Sequence, residues 1–486
     1  MPHQSPLEPD AVTARAWLDA AGELALTRLA GAGTESSWPA GEASEAARAG
    51  PAIGEGPMAG GMAAVLGVVE SEARSALVTT APGYLAYIPG GGLFATAVAS
   101  FIGDILNRYT GLAAGAPGLV RLENDVLAWL AAQFGYGPKA AGLFTSGGSL
   151  ATFTAVVAAR ERGMGLAGDL RCAAAYTSSQ AHASVAGAFR LAGLRPENLR
   201  SVPVDHAFRM RPDRLAEMVR EDRARGLTPI MVVAAAGTTN TGAVDPLAEI
   251  AALCAAEGLW LHVDGAYGGA FVLCEEGRRR LGGVDLADSI TFDPHKGMFL
   301  PYGTGCLLFR DGVPKAEASG GDESYLRDVR SQDPSDAGPS PADFGLELSR
   351  PYRGLRLWAP LMLHGAAPFR EALTEKLALA TALHRGLKAL ADDGLPMEIV
   401  AEPQLTVVPF RLARLGGEAV SQWNARNAAF LEAVNRRGRC FLSSTLLPTT
   451  DGEALTLRAC VLSHRTHRLQ INQCLEDIAS AVAEVG

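Results

Sequence analysis

The segments LHVDGAYGGA (residues 261–270) and SITFDPHKGMFLPYGTGCLLF (residues 289–309) decide the fold of this chain. Each begins with a short apolar run that is typical of a buried strand. Asp264 closes the first run, and Lys296 lies three residues beyond the second, 32 positions after Asp264. Ligands in open α/β sheets bind at the carboxyl ends of the strands, so we expect both side chains to face one crevice.

The same pattern extends from Leu122 to Arg310, where short apolar runs alternate with segments of helical period. This alternation predicts βα units around a mainly parallel, buried sheet. One connecting helix is well defined: Asp245 is expected to cap it, Pro246 to occupy its first position and Gly258 to end it. The predicted strands are AGLFTS, RCAAAYTS, LRSVPVD, IMVVAAAG, LWLHVD, SITFD and GCLLF.

An amine and a carboxylate in one crevice are what pyridoxal 5'-phosphate (PLP) requires. The amine holds the aldehyde of the cofactor as an imine, and the carboxylate keeps the ring nitrogen protonated. Taken singly, Lys296 is as easily a surface cation and Asp264 a helix or turn cap. The two strands, the His295–Lys296 pair and the glycine-rich flanks together favour a PLP site.

At these residues the chain resembles the group II pyridoxal-dependent amino acid decarboxylases, whose aromatic amino acid and glutamate members carry a similar HVDxAYxG and a similar Asn-or-Asp-Pro-His-Lys. The resemblance runs from about Pro82 to the C-terminus. It implies an α/β protein of PLP-dependent transferase fold type I, with a mainly parallel seven-stranded sheet in a large domain (106–365). A smaller C-terminal α/β domain (366–486) and an N-terminal helical arm (1–105) complete the expected organisation.

The segment TSGGSLAT (145–152) is the predicted phosphate site, with Gly147, Gly148 and Ser149 as its binding residues. A strand-to-helix turn offers backbone N–H groups, a helix N-terminus and hydroxyl groups to an anion. An ordinary tight turn is the alternative. The similar SGGS segment of the family favours the phosphate.

Further cofactor contacts follow from the resemblance. His182, in YTSSQAHASV, is expected to stack on the pyridine ring and to contact the substrate carboxylate or move protons; a structural histidine is the alternative. Thr239, in AAAGTTNTGAVDP, is expected to bond the phenolic oxygen or the substrate carboxylate, or else only to begin a turn. Ala266 is expected to pack against the ring face.

Asp293 and His295 precede the lysine and are predicted to bind the cofactor. His295 is expected to contact the phosphate or to tune the amine of Lys296. Tyr87, in YLAYIPGGG, matches a family position in the substrate pocket, which the neighbouring subunit often supplies. An ordinary loop tyrosine is the alternative. With Ile88, it favours an aromatic or other apolar substrate.

Two arginines are not assigned to the PLP site. Arg353 and Arg458 are predicted to form structural ion pairs.

Family decarboxylases usually protonate the product with a tyrosine on the loop that follows the lysine. That loop reads SQDPSDAGPSPADFGLE (331–347) and has no tyrosine; Phe344 is its nearest aromatic residue, and Tyr325 comes earlier.

Bulk properties exclude several classes of protein. The net charge of −9, with no run of basic residues, argues against a nucleic-acid partner. Seven cysteines without a CxxC pair indicate neither a disulfide framework nor a metal site, which fits the cytoplasm. We expect no signal peptide and no membrane helix.

The sequence therefore predicts PLP-dependent decarboxylation of an L-amino acid to the amine and CO2 through a Lys296 aldimine. The resemblance implies a homodimer whose active sites lie at the subunit interface. The alternatives are decarboxylation with oxidative deamination to an aldehyde, a C–C lyase or an aminotransferase. A non-catalytic protein has no use for an imine-forming amine. A nicotinamide enzyme is disfavoured because no G-x-G-x-x-G follows a strand.

Overall fold

The computed structural model describes residues 7–38, 51, 53–165, 167–312 and 338–485. Its larger sheet has seven strands in the order β1-β7-β6-β5-β4-β2-β3, in which β7 runs antiparallel to both neighbours and the other pairs are parallel. All seven predicted strands are present, and the mainly parallel sheet is confirmed. The strands are β1 (Ala141–Thr145), β2 (Ala173–Ser178), β3 (Leu199–Val202), β4 (Thr228–Ala235), β5 (Trp260–Gly265), β6 (Ser289–Phe292) and β7 (Gly305–Phe309).

Helices bury both faces of this sheet. Val232 and Val233 are neighbours on β4, yet they belong to apolar clusters on opposite faces. A strand that is buried on both faces needs apolar residues at successive positions, which explains the continuous apolar runs. The helices between the strands are α4 (Pro117–Gln133), α5 (Gly148–Met164), α6 (Ala183–Leu191), α7 (Pro212–Ala224), α8 (Leu247–Glu257), α9 (Glu275–Arg280) and α10 (Pro294–Gly297).

The predicted cap of α8 is wrong. The Asp245 carboxylate accepts hydrogen bonds from the backbone N–H groups of Met210 at 2.6 Å and Ala235 at 2.7 Å, while Pro246 is the N-cap residue. A buried backbone N–H without a partner costs more free energy than an uncapped helix end near solvent. The carboxylate therefore binds these backbone N–H groups and does not cap the helix. Burial raises the pKa of Asp245 to about 6. Gly258 ends the helix with a φ of +68°, as predicted.

The C-terminal part forms a second, antiparallel sheet in the order β10-β11-β9-β8. It has its own apolar core, in which Phe410, Phe430 and Leu457 are fully buried. This part mixes helices and strands, as expected of an α/β unit. The elements are α12 (Ala367–Asp392), β8 (Met397–Ile399), β9 (Val407–Leu412), α13 (Val420–Asn435), β10 (Ser443–Thr449), β11 (Gly452–Cys460) and α14 (Arg468–Val485).

The N-terminal helices are α1 (Ala11–Gly31), α2 (Gly61–Ala73) and α3 (Phe94–Leu106). The first two contain no buried residue, and α3 packs against α11 (Gly354–His364). The helical character expected of the N-terminal arm is therefore present. Within the described ranges, no helix is both long and apolar enough to cross a membrane.

Candidate active site

A cavity of about 310 Å³ opens at the carboxyl ends of the large-sheet strands. Its wall contains every residue that the sequence assigned to the cofactor, so the fold brings together segments that are 149 positions apart in the chain. The predicted residues on the wall are Gly147, Gly148, Ser149, His182, Thr239, Asp264, Ala266, Asp293, His295 and Lys296.

The N-terminus of α5 forms one side of the cavity. Gly147 is its N-cap residue, and the carbonyl of Gly147 accepts the N–H groups of Leu150 at 3.1 Å and Ala151 at 3.2 Å. The first N–H groups of a helix have no intrahelical acceptor and suit a phosphate. A Cβ atom on Gly148 would lie 3.0 Å from Asp293 Oδ2 and 3.1 Å from the Ala266 Cβ atom. Glycine is therefore required where the helix meets the cavity floor.

Asp264 carries a negative charge at the end of β5. Its Oδ1 atom accepts the backbone N–H of Ala266 at 3.1 Å, and no cation lies within ion-pair distance of it in the described part of the chain. An unpaired carboxylate that faces a cavity suits a protonated ring nitrogen. The donor set of this cavity therefore fits PLP.

His262 lies two residues before Asp264 on the same face of β5. Its Nδ1 atom is 2.8 Å from Ser289 Oγ, and its Nε2 atom is 3.1 Å from Thr291 Oγ1, which are both on β6. Burial lowers the pKa of His262 to about 4, so the ring is neutral at physiological pH. This histidine joins the two strands that end in the cavity's carboxylates.

Lys296 lies in the short helix α10, directly after β6. Its Nζ atom is 3.0 Å from Asp293 Oδ2. The neighbouring His295 donates from Nδ1 to the carbonyl of Thr304 at 2.7 Å, and burial lowers the pKa of His295. The cavity thus holds one amine with a carboxylate beside it.

The structure distinguishes Thr239 from the neighbouring Thr238. The Thr238 hydroxyl is 3.0 Å from Thr241 Oγ1 and accepts the N–H of Ala243 at 3.1 Å, so Thr238 builds the turn. The Thr239 hydroxyl has no hydrogen bond to another described residue and lines the cavity. His182 has a structural role as well, because its Nδ1 atom accepts the N–H of Ser184 at 3.2 Å and caps α6.

Comparison with known proteins agrees with this geometry. Residues 62–413 match the family described as the pyridoxal-dependent decarboxylase conserved domain. The chain belongs to this decarboxylase family. It is 34% identical over 405 residues to an aromatic-L-amino-acid decarboxylase of Bacillus atrophaeus. The aligned region covers 83% of this chain and 82% of that protein.

Two further relatives extend the comparison. A phenylacetaldehyde synthase of Arabidopsis thaliana is 30% identical over 380 residues, 75% of either chain. The crystal structure of Oryza sativa TDC with PLP and tryptamine superposes with a TM-score of 0.85 at 26% identity, over 99% of either chain. Fold type I and the PLP-dependent decarboxylase assignment are therefore confirmed.

Tyr87 and Ile88 do not line the cavity of their own chain in this decarboxylase. The Tyr87 side chain is 55% exposed, and its backbone has a φ of +50°. The Tyr87 N–H donates to Ser443 Oγ at 3.0 Å. Ile88 packs against the large core. A place for these residues in the substrate pocket stays a prediction.

The ion-pair prediction is correct for Arg353 and wrong for Arg458. Arg353 bonds Glu347 at 2.6 and 3.0 Å. Arg458 Nη2 instead donates to the carbonyls of Tyr87 at 2.9 Å and Thr239 at 2.6 Å, with no carboxylate partner in the described ranges. Its buried position among backbone carbonyls lets one guanidinium join the N-terminal segment to the cavity wall.

The cavity wall of the decarboxylase also contains residues that were not predicted, among them Thr177, Gln180, Thr238 and Tyr267. Gln180 and Tyr267 lie inside the quoted QAH and HVDGAYGG segments, so their motifs were a usable signal. The Tyr267 hydroxyl accepts the N–H of Thr406 at 2.8 Å and thereby contacts the second sheet. That contact spans 139 residues and has no local signal.

The loop after β7 is only partly described. Phe344 is half-buried against the core on one face of the large sheet and does not line the cavity. Tyr325 lies outside the described residues.

Proposed function

We propose that this decarboxylase removes CO2 from an aromatic or other apolar L-amino acid and releases the amine. The observation that carries the proposal is the cavity in which Lys296, Asp264 and the N-terminus of α5 converge. Apart from histidines, Lys296 is the single cation among the described lining residues, so an acidic substrate side chain has no partner there. The similarity to an aromatic-L-amino-acid decarboxylase supports the same substrate class.

Bound PLP supplies an electrophilic aldehyde carbon and a ring that withdraws electrons from the reacting carbon. Lys296 would hold the aldehyde, and Asp264 would keep a proton on the ring nitrogen. Gly147, Gly148 and Ser149 would bind the phosphate through backbone N–H groups and a hydroxyl. The lysine, the carboxylate and the helix N-terminus thus hold three different parts of one ligand.

Three other residues orient the reactants in this proposal. His182 would pack on the ring and would contact the substrate carboxylate or move a proton. Thr239 would offer its free hydroxyl to the phenolic oxygen or to the substrate carboxylate. Ala266 would pack against the ring face, where a side chain larger than its single methyl group would displace the ring.

Oxidative deamination is the second candidate function. Here CO2 leaves, dioxygen takes two electrons from the reacting carbon and becomes peroxide, and water replaces the amino group to give an aldehyde and ammonia. Two observations favour it: the sequence 331–347 has no tyrosine to deliver the final proton, and one relative is named a phenylacetaldehyde synthase.

Product analysis separates the two candidates. The purified protein is loaded with PLP and incubated in air with each L-amino acid, and CO2, amine, aldehyde and peroxide are measured. CO2 and amine in equal amounts from an aromatic substrate support the first proposal. CO2 with aldehyde and peroxide supports the second, and no CO2 from any amino acid contradicts both.

We also propose that the chain works as a homodimer. Helices α1 and α2 contain no buried residue. On α3, Phe101, Ile102 and Ile105 are between 46% and 68% exposed. Apolar helices of this kind need a partner surface to be stable in water. A second copy is the occupant that the family resemblance implies, and Tyr87 and Ile88 would then complete the partner's cavity.

Domain limits and cellular location complete the proposal. The separate apolar core of the second sheet supports a small domain at 366–486, a large domain at 106–365 and an arm at 1–105. All seven cysteines are free thiols, and six of them are buried. Free thiols persist in a reducing compartment, which supports the cytoplasm.

A further inference from the structure

The cavity holds a second carboxylate, Asp293, which the proposed chemistry does not use. Asp293 directly follows β6, and its side chain is almost fully buried. Its Oδ2 atom lies 3.0 Å from Lys296 Nζ, whereas its Oδ1 atom has no hydrogen-bond partner among the described residues. A buried charge needs a partner, so the lysine and this aspartate belong together.

The other ionisable groups near the lysine do not compete for its charge. Burial raises the pKa of the Cys460 thiol to about 12 and also raises the pKa of Tyr267, so both are neutral. His295 is neutral for the same physical reason. His182 lines the cavity but caps α6. Asp264 lines the cavity too, yet it forms no ion pair with Lys296.

We propose that Asp293 is a positioning residue that receives Lys296 as an ammonium whenever the lysine is not bonded to the cofactor. The inference rests on the proposed function, because it concerns the moment when the substrate displaces the lysine. Asp293 is thereby assigned to the lysine, and Asp264 to the ring of the cofactor.

The protons balance in this exchange. Substitution at the cofactor carbon would exchange one primary ammonium for another: the protons that leave the substrate nitrogen as it bonds that carbon would equal in number those that Lys296 gains as its own bond breaks. The reverse exchange at the end of the cycle would move the same number of protons from Lys296 to the departing amine, which would leave as an ammonium. The Asp293 carboxylate would take no part in the proton transfer, and its negative charge would attract the charged lysine.

The test uses protein from which PLP has been removed, and it needs no substrate. Acetic anhydride acetylates an amine only in its uncharged form, and mass spectrometry reports the acetylation rate of Lys296 at pH 7. Asp293→Asn removes the charge with little change of shape, so we expect Lys296 to react about tenfold faster than in the unmodified protein, because the lysine loses the carboxylate that attracts its charged form. Lys388, whose side chain is 63% exposed, is the reference amine in each sample.

Asp264→Asn is the matched control, because it removes the other cavity carboxylate. Its Lys296 should react within twofold of the unmodified rate. Equal rates in Asp293→Asn and the unmodified protein would overturn the proposal, and so would equal acceleration by both variants. If Asp293→Asn does not fold by circular dichroism, Asp293→Ser replaces it. Because neither cofactor turnover nor product is measured, a failed decarboxylation assay leaves this result intact.

Discussion

The cavity and the arm face differ in how they are built. The arm face consists of the exposed apolar side chains on α3 and α11: Phe94, Val98, Phe101, Ile102, Ile105, Leu106, Met362 and Leu363. The cavity is lined by charged and polar side chains, among other residues, from the strand ends and helix starts of one chain. The arm face is apolar and has no chemical motif. Catalytic chemistry is therefore encoded in a few short segments, whereas the proposed assembly depends on a surface that only folding reveals.

The largest expected effect tests the cavity at its amine. Lys296→Ala should abolish the yellow absorbance of bound PLP and reduce turnover by about 10⁴-fold or more, because no other amine can hold the aldehyde. Absorbance spectra and CO2 release measure both effects. The control Lys388→Ala changes an exposed lysine and should retain both properties. A yellow band that survives in Lys296→Ala would contradict the cofactor assignment.

The next effect tests the carboxylate at the ring. Asp264→Asn keeps the shape of the side chain but no longer stabilises a proton on the ring nitrogen. We expect kcat to fall by about 10² to 10⁴-fold while the protein still binds PLP. Steady-state kinetics measures kcat, and the absorbance spectrum measures the bound PLP. Asp311→Asn, at an exposed aspartate after β7, should leave kcat unchanged; an active Asp264→Asn would remove Asp264 from the mechanism.

The third prediction concerns the neutral histidine under the cavity. The pKa of His262 is about 4 in the fold and 6.5 when unfolded, so the unfolded chain binds the additional proton between these values. Its contribution to stability is present above pH 6.5 and is lost as the pH falls towards 4. At pH 4.5 the loss is about 2 to 3 kcal/mol.

Urea unfolding at pH 7.5 and 4.5 measures this contribution as a difference between proteins. His262→Asn should lose less stability on acidification than the unmodified protein by that amount, whatever its stability at pH 7.5. An identical pH dependence in the two proteins would show that His262 is not the titrating group.

The smallest expected effect tests the arm face. Ile105→Asp places a charge on an apolar residue that is 68% exposed, and we expect it to weaken self-association by about tenfold or more. Sedimentation velocity measures the dissociation constant. Leu191→Asp is the matched control, because Leu191 lies on α6 and is 65% exposed. A monomeric unmodified protein with full activity would refute the homodimer.

The accuracy of the sequence predictions follows the range of the interactions. The strands and Gly258 depend on local patterns of apolar residues and backbone conformation, and they were predicted correctly. The cap assigned to Asp245 and the ion pair assigned to Arg458 were wrong. In both cases distant backbone groups satisfy the side chain, and sequence spacing carries no information about them.

The sequence by itself determined the fold class, the PLP family and the segments that line the cavity, because strand periodicity and short motifs are local properties. Only the tertiary structure decided how the members of those segments pair. It brought Asp293 rather than Asp264 to the lysine and left Thr239 free where Thr238 is bonded. These choices depend on ångström-scale distances between elements that are far apart in the chain, and packing of the sheet and its helices sets those distances.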